Sequence, residues 1–311
     1  MQKSVSAAKR EVLSGINTSS GSLRIAQIPV FSRFSVKYAM ATIRANGVNL
    51  FYEESGSGPE TIVFSHGFLM DHAMFGPQRA AFEKQYRVIA YDHRAQGQSE
   101  DPGRGYDMST VTDDAAILIR TLKAAPCHFV GLSMGGFVGM RLAARHPDLI
   151  RTLTLMNTTA TREKIYNRVK YAFLARMVKT FSPAPFTAIA VKELFGRTTR
   201  NSSEKRALLQ EWIAKLRTRP RSVGYTLQAI AKRREFRAGE MAAIHCPTLI
   251  ITGGDDTAQP PRNAASLFTG IRGARMINIP GAGHSSSIEQ PEAVIAAMRE
   301  FFATATAEQP K

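Results

Sequence analysis

Cysteines are few in this chain, acidic side chains are well outnumbered by basic ones, and long apolar runs are missing altogether. Only Cys127 and Cys246 occur in 311 residues, and no Cys/His spacing has the form of a metal site, so no metal is expected. No uninterrupted apolar stretch approaches the roughly 18 residues that a membrane-spanning helix needs. A secretory signal requires an apolar core of about 7–15 residues near the start. Arg24, Arg33 and Lys37 interrupt every such stretch in residues 1–39. With 25 Asp and Glu against 41 Lys and Arg, the formal net charge is +16. No helix-turn-helix, zinc-finger or RNP-like pattern accompanies that charge, so a nucleic-acid partner is not expected.

The basic residues are unevenly spread. Residues 151–240 carry 20 Lys and Arg against six acids, residues 1–39 carry six against the single Glu11, and the remainder nets −3. A field of that kind raises the encounter rate with anions. It fits an anionic small molecule, an acidic carrier protein or a membrane surface; solvated helix faces are the plainer alternative. Residues 1–39, with eight serines and no sustained helical periodicity, are expected to form a basic, disordered extension ahead of Met40-Ala41-Thr42-Ile43, which reads as a natural start for the fold. Organelle targeting is the alternative for that acid-poor segment.

Hydrophobic content of 44% suits a globular chain and excludes global disorder. From residue 49 onward, apolar runs alternate with helical patterns. Strands are expected at 49–54, 61–65, 86–91, 128–132, 152–156, 248–252 and 275–279, and helices near 73–84, 109–123, 134–145, 262–270 and 291–303. Alternation of this kind predicts an α/β protein with a mostly parallel sheet and helices on both faces. The continuity of the runs predicts strands buried on both sides. Between Asn157 and about Arg237 the alternation ceases and only helical patterns remain. The organisation read from this is a core over 40–157 and 238–305, an inserted helical cap over 158–237, and a tail at 306–311. Within the cap, Asn201-Ser202-Ser203-Glu204 has the form of an N-terminal capping box with Asn201 as the cap. Behind it Leu208, Leu209, Trp212, Ile213 and Leu216 share one helical face. Phe173, Leu174, Met177, Phe181, Phe186 and Leu194 are the apolar candidates for the cap's underside, and Trp212 is a candidate substrate contact.

The motif that carries chemistry is Gly131-Leu132-Ser133-Met134-Gly135, set between an apolar strand and a helical pattern. This is the G-x-S-x-G elbow, which exposes a serine hydroxyl at the C-terminal edge of a sheet. Its partners are expected downstream in the order acid, then histidine. His284, in the glycine-flanked loop Pro280-Gly281-Ala282-Gly283-His284, is the candidate base; His245 precedes a strand and should face the opposite sheet edge. The acid lies at the end of the 248–252 strand, where Asp255 and Asp256 compete. The register Gly253, Asp256, Pro260 favours Asp256, leaving Asp255 as a turn former or a partner to a loop amide. Acyl transfer also needs oxyanion donors, and the backbone N–H groups of Met134 and Phe68 are the candidates, with His66 and Gly67 shaping the latter's turn and bordering the substrate.

With these residues in view, the chain resembles the α/β-hydrolase superfamily, and within it the capped serine esterases and lactonases. The resemblance spans about residues 41–303. Beyond the elbow it rests on His66-Gly67, on Asp92-His93-Arg94-Ala95-Gln96-Gly97-Gln98-Ser99, and on Glu289-Gln290-Pro291-Glu292. Ala95 stands where the family pattern has a glycine, so any need for positive φ there would strain the loop. The resemblance implies an α/β-hydrolase fold with an eight-stranded, mostly parallel sheet and an inserted all-helical cap. In that fold the strands opened by Cys127 and Cys246 are separated by a third, placing them roughly 9.6 Å apart, too far for an undistorted disulfide. Both thiols are therefore expected to be free, buried and structural, as in a reducing compartment such as the cytoplasm.

The expected function is cleavage of a carboxylic ester or lactone through an acyl-enzyme on Ser133, with His284 as base and Asp256 orienting it. No cofactor is called for. A serine at the elbow excludes the haloalkane dehalogenase and epoxide hydrolase chemistries of this fold, which use aspartate there. The narrower resemblance is to 3-oxoadipate enol-lactonases, which implies an anionic lactone and gives Arg168, Arg176, Arg219 or Arg234 a substrate carboxylate to pair with. Acyl transfer, perhydrolysis and a ligand-binding receptor role are the alternatives. An acidic carrier protein and a second copy of the chain are the macromolecular partners left open.

Overall fold

The computed structural model describes residues 39–307. The expected extension lies outside the described residues except for Ala39, as does the expected tail except for Thr306 and Ala307, which continue the last helix. The sheet contains β1 (Ala39–Ala45), β2 (Val48–Ser55), β3 (Thr61–Ser65), β4 (Arg87–Tyr91), β5 (Cys127–Leu132), β6 (Ile150–Met156), β7 (Thr248–Gly253) and β8 (Arg275–Ile279). Their order is β1-β2-β4-β3-β5-β6-β7-β8. β1 and β2 are antiparallel to their neighbours, and every pair from β4 onward is parallel. The seven strands expected are present; the eighth, β1, forms a hairpin with β2 through Asn46 (φ 46°) and Gly47 (φ 78°). An Asn-Gly pair with both residues left-handed is the turn whose twist matches the flanking strands.

The core helices are α1 (Gly76–Phe82), α2 (Met108–Thr121) and α3 (Met134–Arg145). After β6 come α4 (Ile165–Phe181), α5 (Thr187–Leu194), α6 (Arg197–Asn201), α7 (Arg206–Arg217), α8 (Val223–Lys232) and α9 (Ala238–Ala242). The chain closes with α10 (Ala265–Gly270), α11 (Ser286–Glu289) and α12 (Pro291–Ala307). α3 stops at Arg145, because the proline at 147 disfavours helical φ/ψ at His146 (φ −135°). One apolar cluster lies on the α2–α3 side of the sheet and another on the α1–α12 side, so β3 and β5 are buried along their whole lengths.

Two expectations are corrected, and a third only in the burial of Cys246. β8 is not buried on both faces: Arg275–Asn278 are exposed and only Ile279 is buried, because the strand has a single neighbour. The capping box is not formed. Asn201 ends α6, and α7 begins at Arg206 after Lys205, whose N–H is met instead by the Ser202 hydroxyl at 3.3 Å. Cys127 is buried and Cys246 half-buried; both are free, with β6 between their strands. Burial pushes both thiols up, Cys246 to about 12.

Candidate active site

Ser133 occupies the single residue between β5 and α3, at φ 52° and ψ −105°. A side chain costs about 1–2 kcal/mol in left-handed backbone, and two close approaches hold the bend in place. A Cβ at Gly131 would overlap the Gly135 carbonyl, and one at Gly135 would overlap the Ser65 carbonyl, so only glycine lets strand and helix meet there. The Ser133 N–H donates to the Met156 carbonyl at 2.8 Å, tying the turn to β6.

The loops after β7 and β8 reach the same sheet edge. His284 Nε2 lies 2.8 Å from Ser133 Oγ, and His284 Nδ1 lies 2.9 Å from Asp256 Oδ2. Asp256 is held twice more, accepting from the Gln259 N–H at 2.8 Å and from Asn157 Nδ2 at 2.9 Å. Burial works against a charged His284. The Asp256 carboxylate outweighs it, helped by Glu289 and Glu193, and leaves the imidazole above its ordinary value. Asp255 accepts from the Thr198 N–H at 2.9 Å and hydroxyl at 2.6 Å, in the first turn of α6, so its partner is a helix amide and not the loop amide expected. His245 is exposed ahead of β7, at the far edge of the sheet.

Asn157 is the residue that sequence reasoning missed. It sits at the end of β6 in left-handed backbone (φ 49°). Its amide reaches Asp256 and the Gly283 carbonyl (3.1 Å), and its oxygen accepts from the Ser286 hydroxyl at 2.5 Å. Gln96 is the other. Its Oε1 accepts from the Leu69 N–H at 3.0 Å while its Nε2 lies 3.8 Å from Met134 Sδ, so one side chain links the loop after β3 to the first residue of α3. The Asp92 loop around Gln96 is itself held by Asp92, which accepts from the His72 N–H (2.7 Å) and Gln98 N–H (2.8 Å). Ala95 in that loop has φ 59°, so the strain expected of an alanine there is present.

Above Ser133 lies a cavity of about 140 Å³. The core contributes Phe68, Phe137 and Gln259; the 158–237 segment contributes most of the wall, including Leu174, Phe186, Leu194 and Leu227. Of the six residues expected on the segment's underside, Leu174, Phe186 and Leu194 face the cavity. Phe173 (65% exposed) and Phe181 (57%) point to solvent, and Met177 does not reach the wall. α4 instead turns Tyr171, Leu174 and Val178 inward.

The expected substrate contacts are not where sequence placed them. His66 is fully buried, with Nδ1 at 2.7 Å from the Gly67 carbonyl and Nε2 accepting from the His93 N–H at 3.0 Å, so it shapes the turn and does not line the cavity. Gly67 packs behind the elbow, where an added Cβ would lie 3.6 Å from Ser133 Cβ. Trp212 is packed into the apolar cluster beneath α7. Nor does any of the four arginines line the cavity. Arg219 donates to the Leu69 carbonyl (2.9 Å) and to Asp71 (2.8 Å), Arg234 pairs with Glu240 (2.5 Å), and Arg168 and Arg176 are exposed. The charged side chains in the wall are two carboxylates: Glu163, paired with Arg233 at 3.0 Å, and Glu193, paired with Lys170 at 2.8 Å.

The segment is bonded to the histidine loop itself. The Ser285 N–H donates to the Leu194 carbonyl at 3.0 Å, the Gly196 N–H donates to Glu289 Oε2 at 2.7 Å, and Lys205 Nζ donates to the Glu289 carbonyl. Among the described residues no cluster of His, Cys, Asp and Glu is placed to hold a metal ion.

A doubly flanked parallel sheet with a serine on a strained strand–helix turn defines a class of α/β proteins. This chain belongs to the alpha/beta hydrolase fold family, whose model matches residues 60–291. It is similar to the AB hydrolase superfamily protein YisY of Bacillus subtilis, with 32% identity over 82% of this chain and 95% of that one. Among solved structures it is similar to the enol-lactonase of Burkholderia xenovorans LB400, with 31% identity, a TM-score of 0.76, and 84% of this chain and 99% of that one covered. It is also similar to a thermophilic esterase from Thermogutta terrifontis, with 28% identity, a TM-score of 0.77, and 86% and 99% covered.

Proposed function

We propose that this protein is a serine hydrolase of neutral carboxylic esters or lactones with a short apolar acyl group. The observation that carries the reading is the unbroken chain of contacts Ser133–His284–Asp256 opening into an apolar cavity. His284 Nε2 takes the Ser133 proton as Oγ bonds to the carbonyl carbon. The oxyanion is held by the N–H of Met134, which as the first residue of α3 has no intrahelical acceptor, and by the N–H of Phe68 beside it. The tetrahedral intermediate collapses, the C–O bond to the leaving alcohol breaks, and His284 returns the proton to that oxygen. Water then adds to the acyl-enzyme with His284 again as base, releasing the acid and free Ser133. Asp256 keeps Nδ1 protonated and steadies the imidazolium without accepting its proton.

The names of its relatives, an esterase and an enol-lactonase, support ester or lactone chemistry. The cavity wall argues for a neutral substrate: among the described residues no lysine or arginine lines it, and a substrate carboxylate would face Glu163 and Glu193. Hydrolysis of p-nitrophenyl esters from acetate to laurate, by wild type and by Ser133→Ala, tests the reading. Turnover on the shorter esters and its loss in the variant are expected. Wild-type-like turnover by Ser133→Ala, or a preference for an ester bearing a free carboxylate, would overturn it.

A further inference from the structure

Helix α4 is apolar on two opposite sides. Tyr171, Leu174 and Val178 line the cavity. At 100° per residue, Ile165, Val169 and Phe173 fall on the other side, at spacings of four residues, and are 71%, 64% and 65% exposed. Tyr166 extends this stripe. A run of long apolar side chains held in water on one helix marks a docking face.

The charges around the stripe say what docks there. α4 carries Arg168, Lys170, Arg176 and Lys179 and no acid. Ile165, Val169 and Ala172 form an apolar groove with Ala231 of α8, and Arg168 and Lys232 stand at its border. The same two side chains also line an adjoining cleft with Arg162, Arg233, Arg234 and Arg237, where Glu235 is the one acid. Arg233 and Arg234 are engaged by Glu163 and Glu240. Arg162, Arg168 and Lys232 have no ion-pair partner among the described residues. The surface thus runs from apolar stripe to free cations over a few residues, which is the order of an acyl chain and its anionic headgroup. An acidic protein would satisfy the cations and leave the stripe in water.

We propose that α4 docks this protein on an anionic phospholipid surface, with Ile165, Val169 and Phe173 entering the acyl layer and Arg162, Arg168 and Lys232 meeting lipid phosphates. Helices that lie in the interface combine an apolar face with flanking Lys and Arg in this way, and each cation near such a surface adds to the attraction. The proposal goes beyond ester cleavage and does not depend on it.

Co-sedimentation of the full chain with vesicles of phosphatidylcholine alone, and of phosphatidylcholine with phosphatidylglycerol, tests it. Binding to the anionic vesicles only is expected, weakened by salt. Val169→Asp with Phe173→Asp, and separately Arg168→Glu with Lys232→Glu, should each reduce that binding by at least about tenfold. All four positions are exposed, so an unchanged thermal melt should accompany the loss. Binding retained by both double variants would place the attachment elsewhere and overturn the proposal. So would equal capture by soluble polyglutamate that the aspartate variants leave intact, which points to an acidic protein. Vesicle-independent self-association abolished by Val169→Asp and Phe173→Asp would overturn it as well, in favour of a second copy on this face.

Discussion

The sheet edge around Ser133 and the helical segment above it hold their residues in place by different means. At the edge, position is set by backbone. Ser133 and Asn157 stand in left-handed conformations, Gly131 and Gly135 permit contacts that no side chain would allow, and each reactive atom has a hydrogen-bond partner. In the segment, position is set by which side of a helix meets the cavity, and apolar packing is non-directional. The edge is therefore suited to chemistry that tolerates little displacement, and the segment to choosing among acyl groups. The segment is nonetheless fastened to the edge where it matters, through Gly196, Lys205 and Thr198 on the His284 and Asp255 loops.

The comparison would break most visibly at His284. His284→Ala should lower kcat for a short ester by about 10⁴-fold, and Asp256→Asn by a similar factor by releasing the wrong tautomer, with KM little changed. A loss confined to KM in steady-state assays would mean that these residues only bind substrate. Next in size is the opposite pattern in the segment. Leu174→Trp or Leu227→Trp fills the cavity, and a mismatch of a single methylene in such a pocket is worth about 10–200-fold. Longer acyl esters should lose kcat/KM by that order while acetate is nearly spared. Uniform loss along the series would show that the wall does not select.

Asn157→Ala sharpens the boundary between the two regions. It removes a hydrogen bond to an ionised group, worth about 1.5–3 kcal/mol, from a residue that touches no substrate. A fall in kcat of about 10–100-fold is expected, with KM little changed. The smallest effect concerns pH. In the proposed mechanism His284 acts as a base when neutral, and its pKa is raised, so kcat/KM should be full at alkaline pH. It should be lost, as pH falls, at a midpoint above the 6.5 of an ordinary histidine. Glu193 in the segment contributes to that raised value, so Glu193→Gln should move the midpoint down. An unmoved midpoint would separate the segment from the electrostatics of the site.

What could be read in advance follows the same division. The meeting of Ser133, Asp256 and His284 at one sheet edge was legible because the turns after β5, β7 and β8 carry particular residue types at fixed spacing. Asn157 was not, because its place beside Asp256 depends on β6 lying between β5 and β7, a matter of sheet order. α4 misled for another reason. Both of its sides are apolar, so periodicity offered Phe173, Met177 and Phe181 as readily as Tyr171, Leu174 and Val178, and only tertiary packing chose. The arginines misled because sequence counts charge without direction: Arg219 and Arg234 are spent on Asp71 and Glu240. The Asn46-Gly47 hairpin signal was present in the sequence and marks a strand that the search for long apolar runs passes over.

The most direct measurement is to trap the covalent enzyme. Wild type treated with a fluorophosphonate, digested and sequenced by mass spectrometry, should carry one adduct, on Ser133, formed far more slowly in His284→Ala. An adduct on another residue, or ester turnover that continues after Ser133 is fully labelled, would contradict the account.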